Sequence, residues 1–140
     1  MIKNSLDYYI DLQFGLDSEK KTKPLIEQFL NTNLNIYDNR FSTFDFYNDL
    51  YLIELKTRRC KHNTYADLMM NINKYNTGIN EIKNNKKHIY YFFKFEDGLY
   101  YYKQNIKHKH NKRFAKNRQG NQTEYIYIKT KLLKNTELKQ

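Results

Sequence analysis

Three residues carry ionisable groups at a spacing that suits phosphodiester chemistry: Asp45, and Glu54 with Lys56 two positions further on. Side chains two apart on a strand share a face, so Glu54 and Lys56 point one way and Ile53 and Leu55 the other. Asp45 stands between Phe44 and Phe46, a polar group with two apolar neighbours. Residues 41–47 and 51–57 read as strands flanking a turn at Asn48-Asp49. Any register that pairs odd with even positions gathers Asp45, Glu54 and Lys56 on one face. It sends Phe44, Phe46, Ile53 and Leu55 to the other, and the hydrophobic pattern selects that register. Asp45 and Glu54 then offer hard oxygen donors to Mg²⁺ or Mn²⁺, with the backbone carbonyl of Leu55 as a further ligand. The ion would acidify a water and stabilise the transition-state charge, while Lys56 positions or deprotonates the water or neutralises phosphate.

Elements on both sides must hold this hairpin. Upstream, Asp17 and Ser18 are good N-caps ahead of an apolar stripe of Leu25, Ile26, Phe29 and Leu30. Pro24 either kinks a helix that starts at Ser18 or sits in the first turn of one starting near Thr22. Residues 8–14 suit either a strand or the start of a helix. Downstream, Tyr65, Leu68, Met69, Ile72 and Tyr75 recur at helical spacing, with Thr64 and Asp67 resembling a capping box and Gly78 a stop. Residues 88–95 and 99–102, around Asp97-Gly98, read as a second hairpin, and residues 124–133 as a last strand. Both faces of 90–95 are apolar or aromatic, as in a buried central strand. The expected fold is α/β: a central mixed sheet flanked by helices, with an additional C-terminal hairpin and strand, in one domain over residues 1–140.

The chain of 140 residues carries 25 Lys+Arg against 15 Asp+Glu, a formal charge of +10, and 14 Tyr and 9 Phe supply bulk for a core. Such a surplus points to a polyanion, with nucleic acid foremost, although the abundance of Asn, Lys, Tyr and Ile is also what an AT-rich genome encodes. Lys103, Lys107, Lys109, Lys112, Arg113, Lys116 and Arg118 follow one another with no acidic residue between them. They form an expected basic loop over about 103–122, and Arg58 and Arg59 extend the charge beyond the motif strand. His108 and His110 read as further phosphate contacts, and Cys60 with His62 lacks the partners of a zinc site. A single cysteine agrees with a reducing, intracellular compartment, in the cytoplasm or nucleus of a cell or in a virion. No apolar run is long enough for a membrane span, and residues 1–6 lack a signal-peptide stretch.

The Asp45 … Glu54-Leu55-Lys56 arrangement resembles the PD-(D/E)xK nuclease superfamily, whose members include restriction endonucleases, Holliday-junction resolvases and exonucleases. The core order of that superfamily, helix-strand-strand-strand-helix-strand, matches residues 15–95. The resemblance implies a restriction-endonuclease-like core, metal binding by Asp45 and Glu54, a catalytic role for Lys56, and DNA as substrate. It further implies a metal-touching Glu on the first helix, Glu19 by position with Glu27 in reserve, and a supporting Lys74 on the second core helix. Phe44 replaces the proline of the family motif. Small members often pair so that two sites cut two strands, so a homodimer is expected. The aromatic hairpin around Asp97-Gly98 is similar to that of small nuclease-like proteins of large DNA viruses.

Plainer readings stand beside these. Asp45, Glu54 and Lys56 would also form cross-strand ion pairs on a solvated sheet face, Glu19 would suit a helix N-terminus, and Lys74 an exposed helix face. A non-catalytic nucleic-acid-binding protein or a DNA-packing structural protein would share the same charge.

Overall fold

The computed structural model describes residues 5–37 and 42–139; Phe41, expected in the first hairpin strand, lies outside them. Ser5–Leu30 forms one helix of 26 residues, α1. Residues 8–14 are therefore helical, and Asp17 and Ser18 lie inside the helix rather than capping its start. Pro24 also lies inside, where a missing N–H costs about 3 kcal/mol. The helix continues through it because Ser18, Thr22 and Ile26, four residues apart, form a buried inward stripe, with Leu25, Phe29 and Leu30 packed beside it. It stops at Asn31, whose φ of 54° is left-handed, with the Thr32 N–H bonded to the Glu27 carbonyl at 3.1 Å.

The strands are β1 (Asn35–Ile36), β2 (Phe46–Tyr47), β3 (Tyr51–Thr57), β4 (Asp67–Asn71), β5 (His88–Phe95), β6 (Gly98–Lys103), β7 (Asn111–Lys116), β8 (Gln122–Lys129) and β9 (Lys134–Asn135). A second helix, α2 (Ile72–Asn85), lies between β4 and β5. Six strands form a mixed sheet in the order β1-β2-β3-β5-β6-β9, and three form a small sheet in the order β4-β8-β7. β3 and β5 are parallel neighbours, and every other pairing is antiparallel. The fold is thus α/β, as expected, with the small sheet as an addition. One face of the large sheet buries Ile53, Leu55 and Phe92 against α1. The other buries Leu52, Tyr91 and Phe93 beside α2 and the Leu68, Met70, Ile126 and Ile128 side chains of the small sheet. β5 is covered on both faces, which explains its unbroken aromatic run. No helix among the described residues is long and apolar enough to cross a membrane.

Three expectations need correction. The apolar spacing around Leu68 belongs to a strand: Leu68 and Met70 are buried while Met69 is 40% exposed, a period of two rather than 3.6. The helix starts instead at Ile72, where the Asn71 side chain accepts the Asn73 N–H at 2.8 Å, and it runs through Gly78 to Asn85. The basic stretch is not one loop, since Asn111–Lys116 is the edge strand β7 and pairs with β8. Charges on an edge strand discourage further pairing, and here they also hid the strand from a reading based on hydrophobic pattern. The last strand ends at Lys129, followed by a 3₁₀ turn at Thr130–Leu132.

Candidate active site

The first hairpin turns at Asp49-Leu50, one residue later than expected: the Asn48 N–H bonds to the Tyr51 carbonyl at 3.0 Å. Asn48 Oδ1 accepts the Leu50 and Tyr51 N–H groups, each at 2.9 Å, which fixes this turn. The later turn keeps the odd-with-even pairing, with Phe46 opposite Ile53 and Tyr47 opposite Leu52. Parity then breaks at Asp45. Its N–H bonds to the Ile53 carbonyl at 2.9 Å, so both Asp45 and Phe46 lie against Ile53 in the manner of a β-bulge. The expectation that Phe44 and Phe46 share a face is therefore wrong. Phe46 packs with Ile53 and Leu55 on the α1 side, while Phe44 packs with Leu52 and Tyr91 on the α2 side.

The bulge aims Asp45 along the sheet edge. Its Oδ2 accepts the Leu55 N–H at 2.8 Å, where a longer β2 would have placed a backbone carbonyl. The N–H and C=O of a strand residue point to the same side, so the Leu55 carbonyl faces this edge too. Glu54, only 3% exposed, lies under α2. Its Oε2 receives Lys74 Nζ from the first turn of α2, and its Oε1 stands 3.8 Å from Lys56 Nζ. Glu19 approaches from α1, near enough to Asp45 that each carboxyl alters the other's hold on its proton, and Asp45 stands in the same relation to Glu54. A contact between the Ser18 and Thr57 hydroxyls ties α1 to the end of β3 at this level. That tie was hidden because Ser18 reads in sequence as a cap. Glu27 sits elsewhere: its carboxylate accepts the Leu34 N–H at 2.8 Å and Lys23 at 3.2 Å.

Glu19, Asp45, Glu54 and Lys56 line a cleft of about 480 Å³, with Arg58, Arg59 and Arg118 also on its wall. The carboxyls of Glu19, Asp45 and Glu54 hold their protons more tightly than usual. Burial pushes Glu54 up to about 7, and the Asp45 charge adds to this against Lys74 and Lys56. Burial and then the Glu19 charge raise Asp45, opposed by the Leu55 N–H. Burial raises Glu19, and the neighbouring Asp45 carboxyl opposes that rise. Burial lowers Lys56, against the pull of Glu54. Like charges crowded in a low-dielectric cleft have this signature, and perturbed groups in a cleft are candidates for chemistry. No three His, Cys, Asp or Glu side chains among the described residues form a ready-made metal cage.

The basic residues divide. Arg58 and Arg118 face each other at the cleft, and burial, followed by the charge of Arg118 among its neighbours, lowers the Arg58 pKa. Arg59 stacks over the Phe14 ring at 3.8 Å, which joins α1 to the cleft wall. Lys107, Lys109, Lys112 and Lys116 are exposed. Arg113 is held, with its guanidinium 3.8 Å over the Tyr127 ring and 3.6 Å from Asp67 Oδ2. His108 and His110 are both anchored to the sheet, although His108 stays exposed: Tyr102 Oη lies 2.7 Å from His108 Nδ1 and 3.0 Å from His110 Nε2. They fasten the β6–β7 connection to the sheet. No protein-family model, curated protein or solved structure matches the chain.

Proposed function

We propose that the chain is a metal-dependent endonuclease of the PD-(D/E)xK type, acting on DNA inside the cell. The observation that carries this reading is the convergence of Glu19 from α1, Asp45 from the bulge, and Glu54 with Lys56 from β3 in one arginine-lined cleft. The donor set suits Mg²⁺ or Mn²⁺: Asp45, Glu54, Glu19 and the Leu55 carbonyl are all oxygen ligands. Their raised proton affinity marks negative charge that a divalent cation would neutralise. When bound, such an ion supplies Lewis acidity toward the scissile phosphate. Lys56, its ammonium destabilised by burial, orients or accepts a proton from the attacking water. Lys74 favours the ionised form of Glu54 and holds it in place. Arg58 and Arg118 bind the phosphates on either side of the cut.

One observation favours a second reading, a nucleic-acid-binding protein that does not cut. Both Glu54 oxygens are turned toward lysines, an arrangement that balances charge without a metal. Plasmid and branched DNA incubated with Mg²⁺ or Mn²⁺ separate the two. The wild type should nick, and Asp45→Asn, Glu54→Ala and Lys56→Ala should each lose about 10²-fold or more. Intact substrate with the wild type, or equal cutting by the variants, sinks the nuclease reading.

A further inference from the structure

The β7–β8 hairpin presents a side chain that neither the fold nor the proposed chemistry uses. Phe114 is 70% exposed on the edge strand β7. Residues alternate along a strand, so Lys112, Phe114 and Lys116 share one face in a cation–aromatic–cation row, with Glu124 opposite Phe114. The hairpin tip beyond them is firmly built. Asn117 Oδ1 accepts the Gln119 and Asn121 N–H groups at 3.0 Å each, and the Asn117 N–H bonds to the Asn121 carbonyl at 2.8 Å. From this tip Arg118 reaches the cleft that holds Asp45 and Glu54. The row therefore runs up to the cleft rather than away from it. An edge strand that only needed protection from pairing would be served by lysines alone, and a large exposed ring works against that protection.

We infer that Lys112, Phe114 and Lys116 form a platform for single-stranded nucleic acid, with Phe114 stacking on an unpaired base and the two lysines meeting the flanking phosphates. A ring between cations is the recurring way to bind a strand whose bases are free, because every base has a π-face and every linkage a charge. In a blunt duplex the bases are already stacked on one another, so the ring has nothing to receive. This assignment deepens the nuclease reading by naming its substrate as DNA with unpaired nucleotides near the cut, but the binding it describes requires no cleavage.

The chain contains no Trp, so Phe114→Trp installs a single fluorescent reporter at the platform. The probes are a labelled single-stranded DNA, the single-stranded RNA of the same sequence and the blunt DNA duplex, all in EDTA so that nothing is cut. The indole emission should be quenched by single strands and not by duplex, and the RNA arm tells which sugar is accepted. In anisotropy titrations Phe114→Ala should weaken single-strand binding about fivefold or more and leave duplex binding within twofold. Circular dichroism of the variants should match the wild type, since Phe114 is a surface residue. Unquenched emission at saturating single strand, or equal losses on single strand and duplex, overturns the platform. Quenching by single strands in a protein that cuts nothing would leave the platform standing and remove the nuclease.

Discussion

Lys74, in the first turn of α2, is ion-paired with Oε2 of Glu54 across the face of the sheet, and Glu54 is almost completely buried. The lysine is the largest influence opposing burial and the Asp45 charge on that carboxyl. Removing one partner of a buried pair leaves the other uncompensated, which typically costs about 3–5 kcal/mol, less where the orphan can take up a proton. Lys74→Met should therefore lose stability at pH 8, where Glu54 is ionised, and lose much less at pH 5, where it is protonated. Urea unfolding of the variant and wild type at both pH values measures this. An equal loss at each pH would mean that Lys74 acts through packing alone.

The folded-state pKa of Glu54 is pushed up from 4.5 to about 7, and those of Asp45 and Glu19 move the same way. Between the unfolded and folded values the native state binds more protons than the unfolded chain, so stability must fall as pH rises through that window. Without divalent cations the melting temperature should decline from about pH 5 to about pH 7.5. Lys56, lowered by burial, contributes with the opposite sign between its lowered folded value and the ordinary lysine value. Glu54→Gln should flatten the decline, and Mg²⁺ should raise the melting temperature of the wild type more at pH 8 than at pH 5. A wild type whose stability does not change across this range would contradict the crowded-carboxylate account.

The site was legible in sequence to the extent that strand periodicity governs it. Glu54 and Lys56 share a face because side chains on a strand alternate, and that holds whatever surrounds β3. Asp45 was legible by type but not by geometry, since the bulge that aims it arises from Phe44 and Phe46 entering different cores. A pattern of alternating aromatics cannot announce that. The α1 stretch through Pro24 was illegible for a related reason: local propensity argues for a break there, and only burial of Thr22 and Ile26 against the sheet overrides it. Residues 67–71 were misread because five residues are too few to separate a period of two from one of 3.6 when the next element is a helix.

Gly78 offers a test of close packing. In a helix interior alanine is favoured over glycine by about 1 kcal/mol. A Cβ here, however, would stand 2.2 Å from Oε1 of the buried Gln104. That oxygen accepts the Tyr91 hydroxyl at 2.5 Å, and the same amide donates to the Tyr75 carbonyl at 2.9 Å. Displacing it breaks both bonds in the core, at about 1–3 kcal/mol for each buried group left unsatisfied. Gly78→Ala should thus destabilise by about 1–5 kcal/mol net of its helix gain. The double variant with Gln104→Ala should lose less than the two single losses combined, because the clash disappears. Chemical denaturation decides, and a stabilised Gly78→Ala would refute the packing.

The arginines separate binding from folding. Arg58 and Arg118 line the cleft, whereas Arg113 is occupied by the Tyr127 ring and Asp67. A cation that meets a phosphate releases about one counterion, so Arg58→Ala and Arg118→Ala should each reduce the slope of log affinity against log salt by about one. Arg113→Ala should leave that slope unchanged. It should instead loosen the β7–β8 hairpin by about 0.5–2 kcal/mol, the range for a partly exposed cation–π contact with a weak ion pair. Anisotropy titrations of a DNA duplex at several salt concentrations, beside thermal melts of each variant, read the two quantities separately. If Arg113→Ala reduces the slope as much as Arg118→Ala does, the assignment of Arg113 to structure and Arg118 to the cleft falls, because both would then be meeting phosphates.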